Sequence, residues 1–160
     1  MTTPNRVSTR LTRIGAASVL TAAVVAVPPL LPHTAQRAEA ATQAAKALGV
    51  AASKKGSPYQ WGAAGPSRFD CSGLTLYSFK RAGKTLPRTA AAQYGSTKHI
   101  SAGSRRVGDL VFFHSGSASS SVYHVGIYAG DGRIWHAPKT GARVRLEKIW
   151  TGGVWYGRVG

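Results

Sequence analysis

Three side chains in this 160-residue chain have the types that nucleophilic catalysis needs: Cys71, His124 and His136. Cys71 is the single cysteine, in the stretch Phe69-Asp70-Cys71-Ser72-Gly73-Leu74. It lies where an irregular Gly/Pro-rich segment gives way to a helical pattern. A helix start exposes unpaired N–H groups and the positive end of the helix dipole, so a thiol there ionises more readily. Histidine is the base whose ordinary pKa lies near neutrality. A third polar group must fix that base's tautomer, and a second imidazole can do so. A tetrahedral intermediate also needs oxyanion donors; the Cys71 backbone N–H and the Tyr59 hydroxyl are candidates. Singly, each signal is weak, since a lone cysteine or histidine is more often structural than catalytic. His114 follows a strand into a Ser/Gly loop and His99 lies in polar loop sequence, neither in a comparable setting. One Cys and two His could instead hold a metal, but no clear fourth ligand accompanies them; neither metal nor cofactor is expected.

The elements around these residues follow from periodicity. Ala41, Ala44, Ala45, Leu48, Ala51 and Ala52 recur at helical spacing over Ala41–Lys54, and Gly56-Ser57-Pro58 stops the run. Asp70 is placed to cap a helix running from Cys71 to about Ala82, which Gly83 ends in the left-handed conformation. Thr89 can cap a short helix ending near Gly95. Strands are predicted over 110–113, 122–129, 133–137, 142–147 and 153–159. Helices first and consecutive strands afterwards argue for α+β, with helices on one side of one antiparallel sheet.

Whether the histidines meet depends on one hairpin. Pairing centred on Gly130 sets His124 opposite His136 on one face. A two-residue turn at Asp131-Gly132 pairs 130 with 133 and 127 with 136, sending the rings to opposite faces. The sequence leaves both open.

The first forty residues read as an export signal: Arg6, Arg10 and Arg13, an apolar run over Ile14–Leu31, then Ala38-Glu39-Ala40 as a small-x-small cleavage site. Retention as a membrane anchor is the alternative, although Pro28-Pro29 breaks the run near its outer end. On cleavage after Ala40 no membrane span is expected to remain, and residues 41–160 make one domain. The net charge is +16, with 21 Lys and Arg against five Asp and Glu. The segment 1–40 contributes four arginines and Glu39, so about +13 stays with the domain. Such a field attracts polyanions. No nucleic-acid-binding motif is present, so outside the cell the expected partner is an anionic wall polymer or surface. The plain alternative is a solvated surface. An exported chain with one cysteine has either an intermolecular bridge or a free reactive thiol.

The chain resembles the NlpC/P60 peptidoglycan hydrolases, papain-like cysteine peptidases. The matching segments are Pro58-Tyr59-Gln60-Trp61-Gly62, Phe69–Leu74, Leu86-Pro87-Arg88-Thr89 with Gln93, Gly108–Phe113, His124–Tyr128 and Ile134–Ala137. The resemblance implies Cys71 as nucleophile, His124 as base, His136 as the orienting residue and Tyr59 as an oxyanion donor. Ser72, with Asp70 and Trp61, is expected at the substrate subsites. It further implies hydrolysis of an amide in peptidoglycan stem peptides, usually between D-glutamate, through its γ-carboxyl, and the diamino acid. A secreted or wall-associated monomer is the expectation. Ala63 stands where the family often has a second glycine, and Val107 where proline is common. Many relatives also carry a wall-binding module, with no counterpart recognised here, which leaves attachment to the basic surface or the groove. An amidase that releases whole stems, a non-catalytic cationic wall-binding protein and an acyltransferase are the competing readings.

Overall fold

The computed structural model describes residues 1–2 and 32–160. The basic start and apolar run of the export signal lie outside the described residues. Three helices precede and pack on a six-stranded antiparallel sheet: α1 (Pro32–Ser53), α2 (Cys71–Arg81) and α3 (Ala90–Ser96). The strands are β1 (Lys98–Ile100), β2 (Leu110–His114), β3 (Val122–Gly130), β4 (Arg133–His136), β5 (Arg145–Lys148) and β6 (Val154–Arg158). Their spatial order is β1-β6-β2-β3-β4-β5, every neighbouring pair antiparallel. This is the α+β, helices-on-a-sheet arrangement that the order of helical and strand-like sequence implies. No helix among the described residues is long and apolar enough to cross a membrane.

α1 starts nine residues before the predicted Ala41 and runs through Ala38-Glu39-Ala40. Residues 33–39 are exposed, and the helix first buries side chains at Ala47 and Ala51, one turn apart. Those alanines join Phe69, Leu74 and Phe79 in the core between the helices and the sheet, where Leu110, Phe112, Val125 and Ile127 project. Period-two alternation sends Val111, Phe113, Tyr128, Ile134 and Tyr156 to the opposite face, as a second apolar cluster.

Two strands depart from expectation. β1 goes unrecognised in sequence because Lys98-His99-Ile100 has no alternating pattern. Its pairing with β6, Lys98↔Arg158 to Ile100↔Tyr156, makes it a strand and places His99 in it. β5 starts at Arg145 rather than Ala142. Residues 142–144 instead bond the segment before the cysteine: Tyr59 N–H donates to the Ala142 carbonyl at 2.9 Å, and Val144 N–H to that of Ser57 at 2.9 Å.

Candidate active site

Asp70 organises the Cys71 end of the site. Extended backbone at Asp70 lets its carboxylate accept from Gly73 N–H at 2.7 Å, capping α2 with Cys71 as the first helical residue. The same carboxylate accepts from Gly62 N–H at 2.9 Å and pairs with the Arg88 guanidinium. One buried side chain thereby ties the helix start to the Tyr59–Gly62 loop and to the Leu86–Thr89 segment. The loop also approaches the helix so closely that a Cβ on Gly73 would lie 2.0 Å from the Ala63 carbonyl oxygen; only glycine fits there. Ser72 is buried and accepts from Arg88 at 3.0 Å. Fully buried Gln93 donates to the Ser72 and Pro87 carbonyls, both at 2.9 Å, and accepts from Thr75 at 2.7 Å. Trp61, at the loop tip, is 84 % exposed.

The hairpin resolves into neither sequence alternative. Asp131 and Gly132 both have positive φ, as two-residue hairpin turns require, and Gly130 pairs with Arg133. One step further the register shifts: Tyr128 pairs with Ile134 and Ile127 with Trp135, leaving Ala129 as an extra, bulged residue. The bulge restores the parity that the tight turn reverses. Continued by one residue, this register sets His136 beside Gly126 and diagonal to His124, on one face. His124 Nε2 and His136 Nδ1 are 2.9 Å apart, and both rings are buried. Phe113 meets the His124 ring edge-on at 5.4 Å, and Trp150 stacks on Phe113 at 4.0 Å.

Sequence reasoning missed Glu147, which lies on the same face of β5. Its carboxylate is 2.9 Å from His136 Nε2 and accepts from Arg145 Nε at 2.8 Å. The Arg145 guanidinium, ahead of opposing burial, holds the Glu147 carboxyl below its usual pKa. An ionised carboxylate only accepts hydrogen bonds. His136 Nε2 must therefore carry a proton, which leaves Nδ1 of the neutral ring as an acceptor. His124 Nε2 donates to it, so the free base of His124 is Nδ1. The signal for Glu147 was present in the Arg145-Leu146-Glu147 alternation, but only the β4–β5 register, His136↔Arg145, shows which ring it meets.

Cys71 reaches β3 one residue beyond His124, its sulfur interacting with the Val125 backbone N–H. Burial pushes the thiol pKa up. The Val125 N–H opposes this, the Asp70 carboxylate adds to it, and the Ser72 and Cys71 N–H groups oppose it. The easier ionisation expected of a helix start is thus outweighed by desolvation. The Tyr59 hydroxyl pKa is also raised, by burial first and then by Cys71 and Asp70, against the opposing Arg88 cation. Burial, reinforced by His136, pushes His124 down to about 3 against the opposing charge of Glu147. The free site therefore holds a neutral thiol and a neutral imidazole. Among the described residues no group of three or more metal-ligating side chains could hold a metal ion.

A helix-start thiol reaching the strand that carries His124, with His124 and His136 hydrogen-bonded and helices packed against one antiparallel sheet, matches the papain-like α+β class of fold. The sequence model of the NlpC/P60 family matches residues 56–159, and the chain belongs to that family. It is 48% identical over 109 residues to a probable endopeptidase p60 of Listeria monocytogenes, covering 65% of this chain and 22% of that protein. It is 49% identical over 88 residues to the bifunctional muramidase/DL-endopeptidase CwlT of Bacillus subtilis, covering 54% and 27% of the two. The solved peptidoglycan hydrolase RipB of Mycobacterium tuberculosis superposes with TM-score 0.66 at 27% identity, over 80% of this chain and 71% of that one. The chain thus spans about a fifth of the length of the Listeria relative.

Proposed function

We propose that this protein is an exported cysteine endopeptidase that hydrolyses an amide bond in peptidoglycan stem peptides. The bond is the one between the γ-carboxyl of D-glutamate and the diamino acid. The observation that carries the reading is the buried His124–His136 hydrogen bond, on the strand whose next residue holds the Cys71 sulfur. The endopeptidase and peptidoglycan-hydrolase names of the similar proteins support the reaction class. Export rests on the residue 1–40 pattern; cleavage after Ala40 would leave Ala47 and Ala51, the buried part of α1, in place.

His124 Nδ1 takes the Cys71 proton as the sulfur attacks the γ-carbonyl carbon. The carbonyl π electrons move to oxygen, and the Cys71 N–H and Tyr59 hydroxyl stabilise the oxyanion. On collapse the C–N bond breaks. The imidazolium gives its proton to the departing amine, leaving a Cys71 thioester and a neutral His124. Water, deprotonated by His124, attacks that thioester; the carboxylic product leaves and the thiolate recovers its proton. His136 and Glu147 position the base and stabilise its charged form. Ser72, Arg88 and Trp61 contact the acyl side of the substrate, and Asp70 acts there through Arg88. A monomer needs no partner residue in this scheme, and the basic surface supplies contact with anionic wall polymers.

Digestion of purified peptidoglycan by the wild-type chain and by Cys71→Ala, with products weighed by mass spectrometry, tests this. New fragments cut at the glutamyl–diamino acid bond by the wild type alone are expected. Whole stems released from glycan would replace the reading with an amidase, and equal binding without cleavage by both proteins would replace it with a wall-binding one.

A further inference from the structure

Five carboxylate side chains face 21 Lys and Arg in this chain, so most of the cations lack an acidic partner. Three of the carboxylates are taken: Asp70 by Arg88, Glu147 by Arg145 and Asp109 by Arg158. At the β1 edge of the sheet a cleft of about 630 Å³ opens between β1, the end of β6 and the 101–106 loop. Lys98, Ser101, Ser104, Arg105, Arg106 and Arg158 line it, and no carboxylate among the described residues does. Arg158 is neutralised, since its Nε and Nη2 both donate to the buried Asp109 carboxylate at 2.8 Å. The other three cations are not. Lys98 and Arg106 are exposed, and among the described residues their side chains make no hydrogen bond or ion pair. Arg105 is held by neutral groups alone. Its Nη1 donates to the Ala102 carbonyl at 2.5 Å, and its guanidinium lies over the Tyr128 and Tyr156 rings at 5.4 and 5.5 Å. These contacts fix the guanidinium in place without cancelling its charge.

Three uncompensated cations in one recess repel one another, and a bound polyanion relieves that repulsion. We infer that this cleft is an anchoring site for a phosphodiester-linked wall polymer, with one phosphate on the Arg105 guanidinium and its neighbours on Lys98 and Arg106. The choice of a wall polymer rests on the export reading. A pre-positioned planar guanidinium matches the oxygens of a phosphate as a two-pronged donor. A cleft of this volume takes several linked groups rather than one ion. Ile100, half-buried, is the one large apolar side chain in the lining, so nothing protrudes to enter a bilayer. The one ring in the lining, His99, is already stacked on Tyr94 at 3.9 Å, so the cleft lacks the aromatic platform that single-stranded nucleic acid uses. The site is also set apart from the catalytic residues. Tyr128, beneath Arg105, lies four residues beyond His124, about 13 Å along β3, and β1 lies three strands to the side. A polymer held here retains the protein at the wall and leaves the catalytic centre open to stem peptides.

The test measures binding of the full-length chain to labelled poly(glycerol phosphate), beside polyglutamate, oligothymidylate and phosphatidylglycerol vesicles. Two double variants are compared with the wild type. Lys98→Gln with Arg106→Gln removes two cations whose side chains hold nothing in the fold. Lys80→Gln with Arg81→Gln removes the same charge from the exposed last turn of α2. The cleft variant is expected to bind poly(glycerol phosphate) about tenfold more weakly, and the α2 variant within about twofold of the wild type. Polyglutamate is expected to bind more weakly than the phosphate polymer, because the guanidinium fork favours phosphate. Equal losses in the two variants would show a diffuse field and overturn the inference, as would a cleft variant that binds like the wild type. Tighter binding of oligothymidylate than of poly(glycerol phosphate), or vesicle binding lost in the cleft variant while polymer binding survives, would overturn it in favour of nucleic acid or of a membrane. Hydrolysis of a soluble stem peptide is expected to be unchanged in the cleft variant, so the anchoring site and the endopeptidase reading stand or fall separately.

Discussion

Glu147 accepts a hydrogen bond from His136 Nε2 at 2.9 Å and thereby sets the tautomers of two imidazoles, since His136 Nδ1 must then accept from His124. Arg145 anchors the carboxylate at 2.8 Å, so the line His124–His136–Glu147–Arg145 crosses three strands on one face of the sheet. Its effect is to leave His124 Nδ1 unprotonated and, in the proposed reaction, to stabilise the positive charge that ring would acquire.

Replacing Glu147 separates those two effects. Glu147→Gln retains an oxygen acceptor for His136 Nε2 but removes the charge. The Glu147 charge raises the pKa of both histidines against their burial, so its loss moves the acid limb of kcat/KM to lower pH. A fall in kcat of about tenfold is expected, with KM little changed. Glu147→Ala frees the His136 tautomer as well, and a loss of about a hundredfold is expected. A pH–rate profile of Glu147→Gln superimposable on the wild type would remove Glu147 from the relay.

Stability should fall in acid for a reason that sits in the site. His124 is held neutral, its pKa down at about 3, whereas in the unfolded chain it titrates near the ordinary 6.5. A depressed folded pKa means the unfolded state binds the extra proton first as pH drops. The contribution is therefore intact above pH 6.5 and is lost progressively as pH falls towards 3, at up to about 1.4 kcal/mol per pH unit. His136, lowered by burial, acts in the same direction. Urea midpoints measured from pH 7 to pH 4 should decline in the wild type and decline less in His124→Gln; parallel curves would contradict the buried neutral imidazole.

The thiol offers a third measurement. Burial is the main cause of its raised pKa, and the Asp70 carboxylate adds to it. Asp70→Asn keeps an oxygen for Gly73 N–H, so the helix cap survives. Without the carboxylate, and with the Arg88 cation no longer neutralised, the thiolate becomes easier to form. The pH midpoint for alkylation of Cys71 by iodoacetamide should move down. The lost charged hydrogen bonds to half-buried Arg88 should cost about 1–2 kcal/mol of stability. An unmoved midpoint would mean that Asp70 acts on Cys71 only through geometry.

Much of this arrangement is legible in the chain because short-range rules dictate it. Asp70 and Thr89 cap their helices where polar side chains precede helical runs, and helices followed by alternating strands leave one architecture. What stays hidden is long-range or depends on counting by one. Lys98–Ile100 becomes a strand through β6, 58 residues away in register at His99↔Gly157. Glu147 acquires a role only when β5 docks against β4. The thiol's ionisation misleads in the other direction: a helix start is visible in sequence, but the desolvation that outweighs it comes from tertiary packing. The roles proposed for Ser72 and Trp61 rest on the family pattern, with one side chain buried and the other exposed.

The hairpin carries the sharpest of these dependences. The Asp131-Gly132 turn by itself sets residue 136 opposite 127 and splits the histidines between the two faces. The single extra residue Ala129 returns His136 to the face of His124. Deleting Ala129 while keeping the turn removes the bulge and leaves Gly130↔Arg133, Tyr128↔Ile134 and Ile127↔Trp135 as a regular ladder, so His124 and His136 stay on one face. The two rings keep their meeting, and kcat/KM within about tenfold of the wild type is expected. Ala129→Ser keeps the residue count and should retain activity within about threefold. Amide exchange on the two variants separates a locally rearranged hairpin from lost folding, because β2–β6 protection should persist in the deletion if only the bulge has gone. A deletion variant that keeps this protection yet loses activity about a thousandfold would mean that the Tyr128↔Ile134 register does not set the meeting of the two rings.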